Sequence, residues 1–231
     1  MTVSAVNDPA YWEARYLANQ TGWDAKNIST PLKAYFDQLT DKSAKILIPG
    51  AGNAHEGAYL HEQGFEKVFI LDFASLPLEQ FAKRHTGFDS AHLLHQDFFE
   101  ATGQYDLIIE QTFFCAIDPS RRPEYAKKMH ELLAPKGKLV GLLFGIEMPN
   151  GPPFGGSMDE YCALFEPYFD IDVMAPCYNS IKPRAGKEIF FKLIKKKRLR
   201  RSFTMPTAAI VCHQRCYFGG KIILCRSFLV Y

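Results

Sequence analysis

The chain has 231 residues, 47% hydrophobic and 23% charged, a balance that suits a globular protein with a sizeable core and excludes a disordered, collagen-like or coiled-coil chain. No apolar run approaches the roughly eighteen residues of a membrane span, and the opening MTVSAVNDPAYWEARY lacks a basic stretch followed by an apolar one, so neither a membrane helix nor a secretory signal is expected. The formal net charge of +2 conceals a split: residues 1–194 hold all 25 acids against 18 Lys and Arg, a net −7, whereas residues 195–231 hold nine Lys and Arg and no acid, a net +9. Cys115, Cys162 and Cys177 lie in the long segment and Cys212, Cys216 and Cys225 in the short one. A domain boundary is therefore expected near Lys195.

Two helical stretches open the chain, over about 8–18 and 31–39, the first introduced by Asn7-Asp8-Pro9. From residue 45, short apolar runs alternate with helical patterns, which signals a parallel sheet with helices on its faces. Lys45–Pro49 reads as a first strand that ends at Gly50-Ala51-Gly52, and residues 53–63 read as a helix capped by Gly64. Lys67–Asp72 is a second strand, followed by a helix over 77–85 with Pro77 at its start. Ala91–His95 is a short third strand, and Tyr105–Glu110 a fourth, buried on both faces. A helix over 120–133 stops before Pro135-Lys136-Gly137, and Lys138–Phe144 is the fifth strand. A helix over 157–166 leads to two last strands near 169–175 and 187–194, seven in all.

In such a sheet, ligands bind beyond the carboxyl ends of the strands, where the strand order reverses. Gly50-Ala51-Gly52-Asn53 occupies that place on the first strand, and glycine lets the backbone turn tightly and approach a ligand closely. Asp72, twenty-two residues after Gly50, ends the second strand where an acid accepts hydrogen bonds from ribose hydroxyls. His55 stands where a dinucleotide fingerprint needs its third glycine, which disfavours NAD or FAD and suits an adenosine ligand without phosphates. No phosphate-binding P-loop is present. After the third strand, Asp97-Phe98 reads either as an adenine-binding pair or as a helix-capping Asp beside a core Phe.

This order of Gly-x-Gly loop, acid and acid-aromatic pair resembles a class I S-adenosylmethionine-dependent methyltransferase, within it the thiopurine S-methyltransferase family, and most closely that family's halide and thiol methyltransferase branch. The resemblance is carried by Tyr11–Asp24 with Pro31-Leu32, by Ile46–Glu56 (ILIPGAGNAHE), by Tyr105–Pro119 (YDLIIEQTFFCAIDP) continuing into Arg121-Arg122-Pro123, and by Gly151-Pro152-Pro153-Phe154. Ile48 stands where most class I enzymes carry an acid, and the Pro49-Gly50 version with Glu56 in the next helix resembles this family. The resemblance implies an α/β, Rossmann-like seven-stranded sheet with helices on both faces, an N-terminal lid over residues 1–40 and a core over 45–194. It implies S-adenosylmethionine as cofactor, held by Trp12, Tyr16 and Trp23 of the lid and by Gly50, Gly52 and Glu56. Asp72 would take the ribose, Asp97 and Phe98 the adenine, and Glu110 and Gln111 would border the methionine part. The other reading of Trp12 and Trp23 is a hydrophobic anchor between lid and core.

The acceptor is expected over the ends of the fourth and fifth strands, near Phe113, Phe114, Arg122, Phe154 and Tyr178. Arg122 aligns with an arginine that faces the acceptor in the thiopurine branch; the other reading is a surface arginine paired with Glu124, and Arg121 is expected in solvent. Cys115, inside an apolar run, reads as a small buried hydrophobe. The expected chemistry is methyl transfer to a small soft nucleophile: a thiol, hydrosulfide, thiocyanate or halide. Aromatic thiols are the alternative, and a non-catalytic nucleotide- or nucleic-acid-binding protein using the basic run Lys195–Arg201 is the alternative of another class. A monomeric cytoplasmic enzyme without metal, membrane or nucleic-acid partners is expected, with residues 195–231 a basic tail that is disordered or non-native.

Overall fold

A computed structural model of the chain describes residues 6–148, 150–197, 214–218 and 221–225. The chain divides at Leu199/Arg200 into two compact units. In the larger, helix α1 (Pro9–Leu17) and helix α2 (Thr30–Phe36) precede the sheet. Asp8 caps α1 by accepting the Ala10 N–H at 2.9 Å, with Pro9 at the first helical position, where its missing N–H costs nothing. Strands and helices then follow as β1 (Ile46–Pro49), α3 (His55–Glu62), β2 (Val68–Asp72), α4 (Ser75–Arg84), β3 (Leu93–His95), β4 (Tyr105–Gln111), α5 (Arg122–Leu132), β5 (Leu133–Phe144), α6 (Met158–Phe165), β6 (Phe169–Pro176) and β7 (Glu188–Lys195).

The strands form one sheet in the order β3-β2-β1-β4-β5-β7-β6. The first five are parallel, while β7 runs antiparallel to both β5 and β6. Hydrophobic periodicity reports burial and not direction, so this reversal was not visible as an alternation of apolar runs. Successive strand residues face opposite sides and serve two cores. Leu47, Ile108 and Leu139 pack with Tyr125 and Met129 of α5 and Tyr161 and Phe165 of α6. Ile46, Ile48, Ile109 and Val140 pack with Leu32 and Phe36 of α2, Leu60 of α3 and Leu78 and Phe81 of α4. Both faces are therefore covered, and β1 is buried at all its positions.

Helix α3 ends as expected at Gly64, at φ +82°, with Gly64 N–H bonded to His61 C=O and Phe65 N–H to Leu60 C=O, the Schellman pattern. Helix α4 begins two residues before Pro77, which is thus its third residue. The apparent stop at Pro135-Lys136-Gly137 is a break inside β5: Lys136 adopts φ +65° and the pairing with β4 shifts between Tyr105 and Leu107. Lys195 ends β7, and Lys196 N–H still bonds Tyr168 C=O. In the smaller unit β8 (Gln214–Phe218) pairs antiparallel with β9 (Lys221–Cys225), which takes in the apolar Ile222–Leu224. The remainder of the basic tail, residues 198–213, 219–220 and 226–231, lies outside the described residues. Among the described residues, no helix is long and apolar enough to cross a membrane.

Candidate active site

The chain passes outward from β1 through β2 to β3 and returns to β4 on the other side of β1, so the order reverses between β1 and β4. A cavity of about 470 Å³ opens there, walled by the strand ends, the N-terminal segment and later loops. Gly50 and Gly52 sit at φ +56° and +52°. A Cβ on Gly50 would overlap the Phe113 ring, and one on Gly52 would lie 2.5 Å from the Tyr16 hydroxyl, so both positions need glycine for conformation and for space. Asp72 ties the two loops together by accepting the Gly52 N–H on one oxygen and the Ala74 N–H on the other, each at 2.9 Å. Burial raises its carboxyl to about 6 despite these bonds. Glu56, in the first turn of α3, is also buried; its side chain receives the Ser29 N–H at 3.4 Å, and burial again pushes the carboxyl up.

The N-terminal segment carries an aromatic group and is clasped at three points. Trp23 meets Trp12 and Tyr16 edge-on at 5.4 and 5.7 Å, with the Arg15 guanidinium 5.4 Å from the Trp23 ring. Glu13 accepts the Ser75 and Leu76 N–H groups at 2.5 and 3.3 Å, at the N-terminus of α4, where backbone donors are otherwise unpaired. Asp24 accepts from Asn53 Nδ2 at 2.7 Å and meets His55 Nε2 at 2.8 Å. Burial would raise the Asp24 carboxyl, but hydrogen bonds from Lys26 and His55 outweigh it and hold it at about 2. Arg184 donates to the Trp23 carbonyl at 2.6 Å. Burial, with Asp72 alongside, raises the Tyr16 hydroxyl, which stays protonated and able to donate.

Trp12, Tyr16, Trp23, Gly50, Gly52, Glu56, Asp72, Asp97, Phe98 and Gln111 all stand on the cavity wall. At Asp97-Phe98 the capping reading holds, since Asp97 caps a short turn by accepting the Phe99 N–H at 2.8 Å and Phe98 is buried against Phe99 and Phe113; both residues also border the cavity. Glu110 does not reach it. Its carboxylate is turned into the protein, where it accepts from Phe113 N–H, Phe114 N–H and the Tyr125 hydroxyl.

The acceptor residues need larger corrections. Phe113 lines the cavity, but Phe114 is in the core against Tyr125 and Tyr161, at 5.0 and 5.5 Å between ring centres. Arg122 is 5% exposed and off the wall: it pairs with Glu160 at 2.7 Å and donates to the Gly155 and Phe154 carbonyls at 2.9 and 3.4 Å. It staples the loop after β5 to α5. Phe154 is buried, with its N–H on the Cys115 carbonyl at 2.7 Å, and Tyr178 is 95% exposed; neither lines the cavity. Of the adjacent pair it is Arg121 that stands on the wall, stacked 3.5 Å from the Phe99 ring centre and paired with Glu124 at 2.9 Å. A tight turn over Pro119–Arg121 runs straight into α5 and sends the adjacent arginines different ways.

Sequence reasoning passed over Arg184, on the wall in a short turn before β7, where no periodicity marked it. Its side chain is buried, bonded to Trp23 and paired with Glu188 at 3.4 Å, and its charge is felt at Cys115 and Glu56. Phe144, Met148, Pro152, Pro153 and the exposed Lys187 complete that end. Cys115 does face the cavity; burial pushes its thiol to about 12, so it stays protonated.

The family model of thiopurine S-methyltransferase (TPMT) matches residues 7–197. The chain belongs to the thiopurine S-methyltransferase family. Like that family, it is an S-adenosylmethionine-dependent methyltransferase. It is 31% identical over 190 residues to probable thiol methyltransferase 2 of Arabidopsis thaliana, covering 79% of this chain and 83% of that protein. It is likewise 31% identical to thiocyanate methyltransferase 1 of Brassica oleracea, over 77% of this chain and 81% of that one. A thiopurine S-methyltransferase of Vibrio parahaemolyticus is 26% identical, over 71% and 84%. Among solved structures, the 1,6-didemethyltoxoflavin-N1-methyltransferase of Burkholderia thailandensis, with its bound substrate and S-adenosylhomocysteine, matches with a TM-score of 0.68 at 19% identity, over 84% of this chain and 89% of that one, which shows the shared class I fold.

Proposed function

We propose that this member of the family methylates a small soft nucleophile: a thiol, hydrosulfide, thiocyanate or halide. The observation that carries the reading is the acceptor end of the cavity. It is walled by Phe113, Cys115, Ile117, Phe144 and Met148, with Arg184 as its buried cation. Cys115 among them is held protonated, so the thiol on that wall is not suited to strip a proton from an acceptor. A soft anion needs no base. It needs a cation to draw it in, polarizable walls and exclusion of water. The names of the thiol and thiocyanate methyltransferase relatives support the same class.

The residues present fit S-adenosylmethionine. When bound, it supplies a methyl group on a sulfonium sulfur, already activated toward displacement. Asp72, buried with acceptor capacity beyond its two N–H bonds, would hold the ribose hydroxyls. The Gly50–Gly52 turn leaves the backbone open where a Cβ would intrude. Asp97 and Phe98 would border the adenine, and Gln111 the methionine part. Glu56, buried with a long bond from the Ser29 N–H, would take the amino group. Trp12, Tyr16 and Trp23 would cover the cofactor, and their aromatic faces suit a sulfonium cation. Arg184 would orient the acceptor anion and, through the Trp23 carbonyl, keep the lid down while water is excluded.

The test is headspace detection of methylated products from the purified chain with S-adenosylmethionine and iodide, thiocyanate, sulfide or thiophenol. Methyl iodide, methyl thiocyanate or methanethiol is expected. Methyl phenyl sulfide alone would move the acceptor to aromatic thiols, and no product from any arm would overturn the reading.

A further inference from the structure

Glu110 stands near the end of β4, beside the strand-order reversal, yet it is 0% exposed and off the cavity wall. Its Oε1 receives the Phe113 and Phe114 N–H groups, both at 2.8 Å, and its Oε2 receives the Tyr125 hydroxyl at 2.6 Å. A carboxylate taken out of water is costly to bury, and burial raises this one to about 7. What it does locally is hold a turn. Two consecutive N–H groups converge on one oxygen because Thr112 adopts φ +57°, a left-handed conformation that a β-branched residue avoids unless its surroundings impose it. Folded this way, the turn sends Phe113 and Cys115 to the cavity and Phe114 between them into the core. Gly141 on β5 leaves the space, since a Cβ there would overlap Glu110.

We propose that Glu110 is a positioning residue whose carboxylate folds the turn at 112–116 so that Phe113 and Cys115 wall the acceptor end of the cavity. This rests on the reading of that end as the acceptor site. Glu110 acts through the turn and touches neither cofactor nor acceptor; Phe113 also packs on Gly50 and Phe98, so the distinguishing readout is an acceptor KM that rises further than the cofactor Kd. Glu110→Gln keeps an oxygen at the Oε1 position and with it both N–H bonds, whereas Glu110→Ala removes them.

The experiment measures, for the full chain and each variant, the acceptor KM and the Kd of S-adenosylhomocysteine. The acceptor is whichever of iodide, thiocyanate, hydrosulfide and thiophenol the wild type methylates fastest. Glu110→Ala is expected to raise the acceptor KM about tenfold while the Kd stays within about twofold, and Glu110→Gln to restore the KM to within about twofold of wild type. If Glu110→Ala does not fold, Glu110→Asp, which draws the carboxylate back by one methylene, takes its place with the same expectation. A raised Kd at unchanged KM would place Glu110 on the cofactor instead and overturn the proposal. Unchanged values for both would overturn it too, by showing that the turn holds itself. A wild type inactive on all four acceptors would be a failure of the proposed function, seen before any variant is compared.

Discussion

The cavity's two proposed ends, one for the cofactor and one for the acceptor, are built by different means. At the cofactor end the floor is set by the first two strand ends and the helix after β1, through the Gly50–Gly52 turn, Asp72 bonded to Gly52 and Ala74, and Glu56 in the first turn of α3, with Trp12, Tyr16 and Trp23 opposite. At the acceptor end the wall is side chains from four separate connections: the turn after β4, the turn before α5, the loop after β5 and the turn before β7. The first kind of wall is fixed by the sheet and presents the same groups whatever the acceptor. The second is built from loops, the part of a fold that varies most readily, and on the proposed reading specificity would reside there.

The largest expected effect is at the cofactor end. Asp72→Ala removes the link between the β1 and β2 loops together with the ribose acceptor, and should weaken S-adenosylhomocysteine binding by about a hundredfold or more, read by calorimetry. The pH dependence sharpens this. With Asp72 raised to about 6, affinity should fall as pH drops through about 6, because the ionised carboxylate is the form that accepts the hydroxyls; Glu56, pushed up by the same burial, adds to the slope. The free protein shows the opposite sign. A raised carboxyl pKa favours folding fully below the ordinary value near 4, and that increment is lost as pH rises through about 6. Titrations at pH 5 and 7.5, with and without ligand, distinguish the two.

Next in size, Arg184→Ala should raise the acceptor KM by at least about tenfold, since it removes the buried cation of the acceptor end and the clasp on Trp23. Arg122→Ala breaks the comparison from the other side. It should cost about 2 kcal/mol of stability, by urea denaturation, because Arg122 joins the loop carbonyls to α5, the ion pair adding little with Glu160 half exposed. Its acceptor KM, at a temperature where it is folded, should stay near wild type. The smallest effect is expected from truncation after Lys197, which leaves the family-matching residues intact and should leave kcat/KM unchanged.

The contrast between the ends also explains what could be read from residues alone. Strand positions, the Gly50–Gly52 turn and Asp72 are local patterns, and the fold turns each into a fixed place at the reversal between β1 and β4. The acceptor end depends on which way neighbouring side chains point. Phe113 and Phe114 are identical in sequence terms, yet in the turn bonded to Glu110 one faces the cavity and the other the core. Arg121 and Arg122 are separated in the same way by the phase of one turn entering α5. Tyr125, the partner that holds Glu110 inside, is fifteen residues away on the helix and leaves no trace in the spacing of β4. Arg184 comes to the cavity from a short turn between two antiparallel strands, a pairing direction that apolar periodicity does not encode.

The central claim, a small soft acceptor at an apolar end with one buried cation, is tested most directly by competition. Hydrosulfide and thiophenol, supplied together at equal concentration to the full chain with limiting S-adenosylmethionine, yield methanethiol and methyl phenyl sulfide in the ratio of their kcat/KM values. A large excess of methanethiol is predicted. An excess of methyl phenyl sulfide would contradict the account.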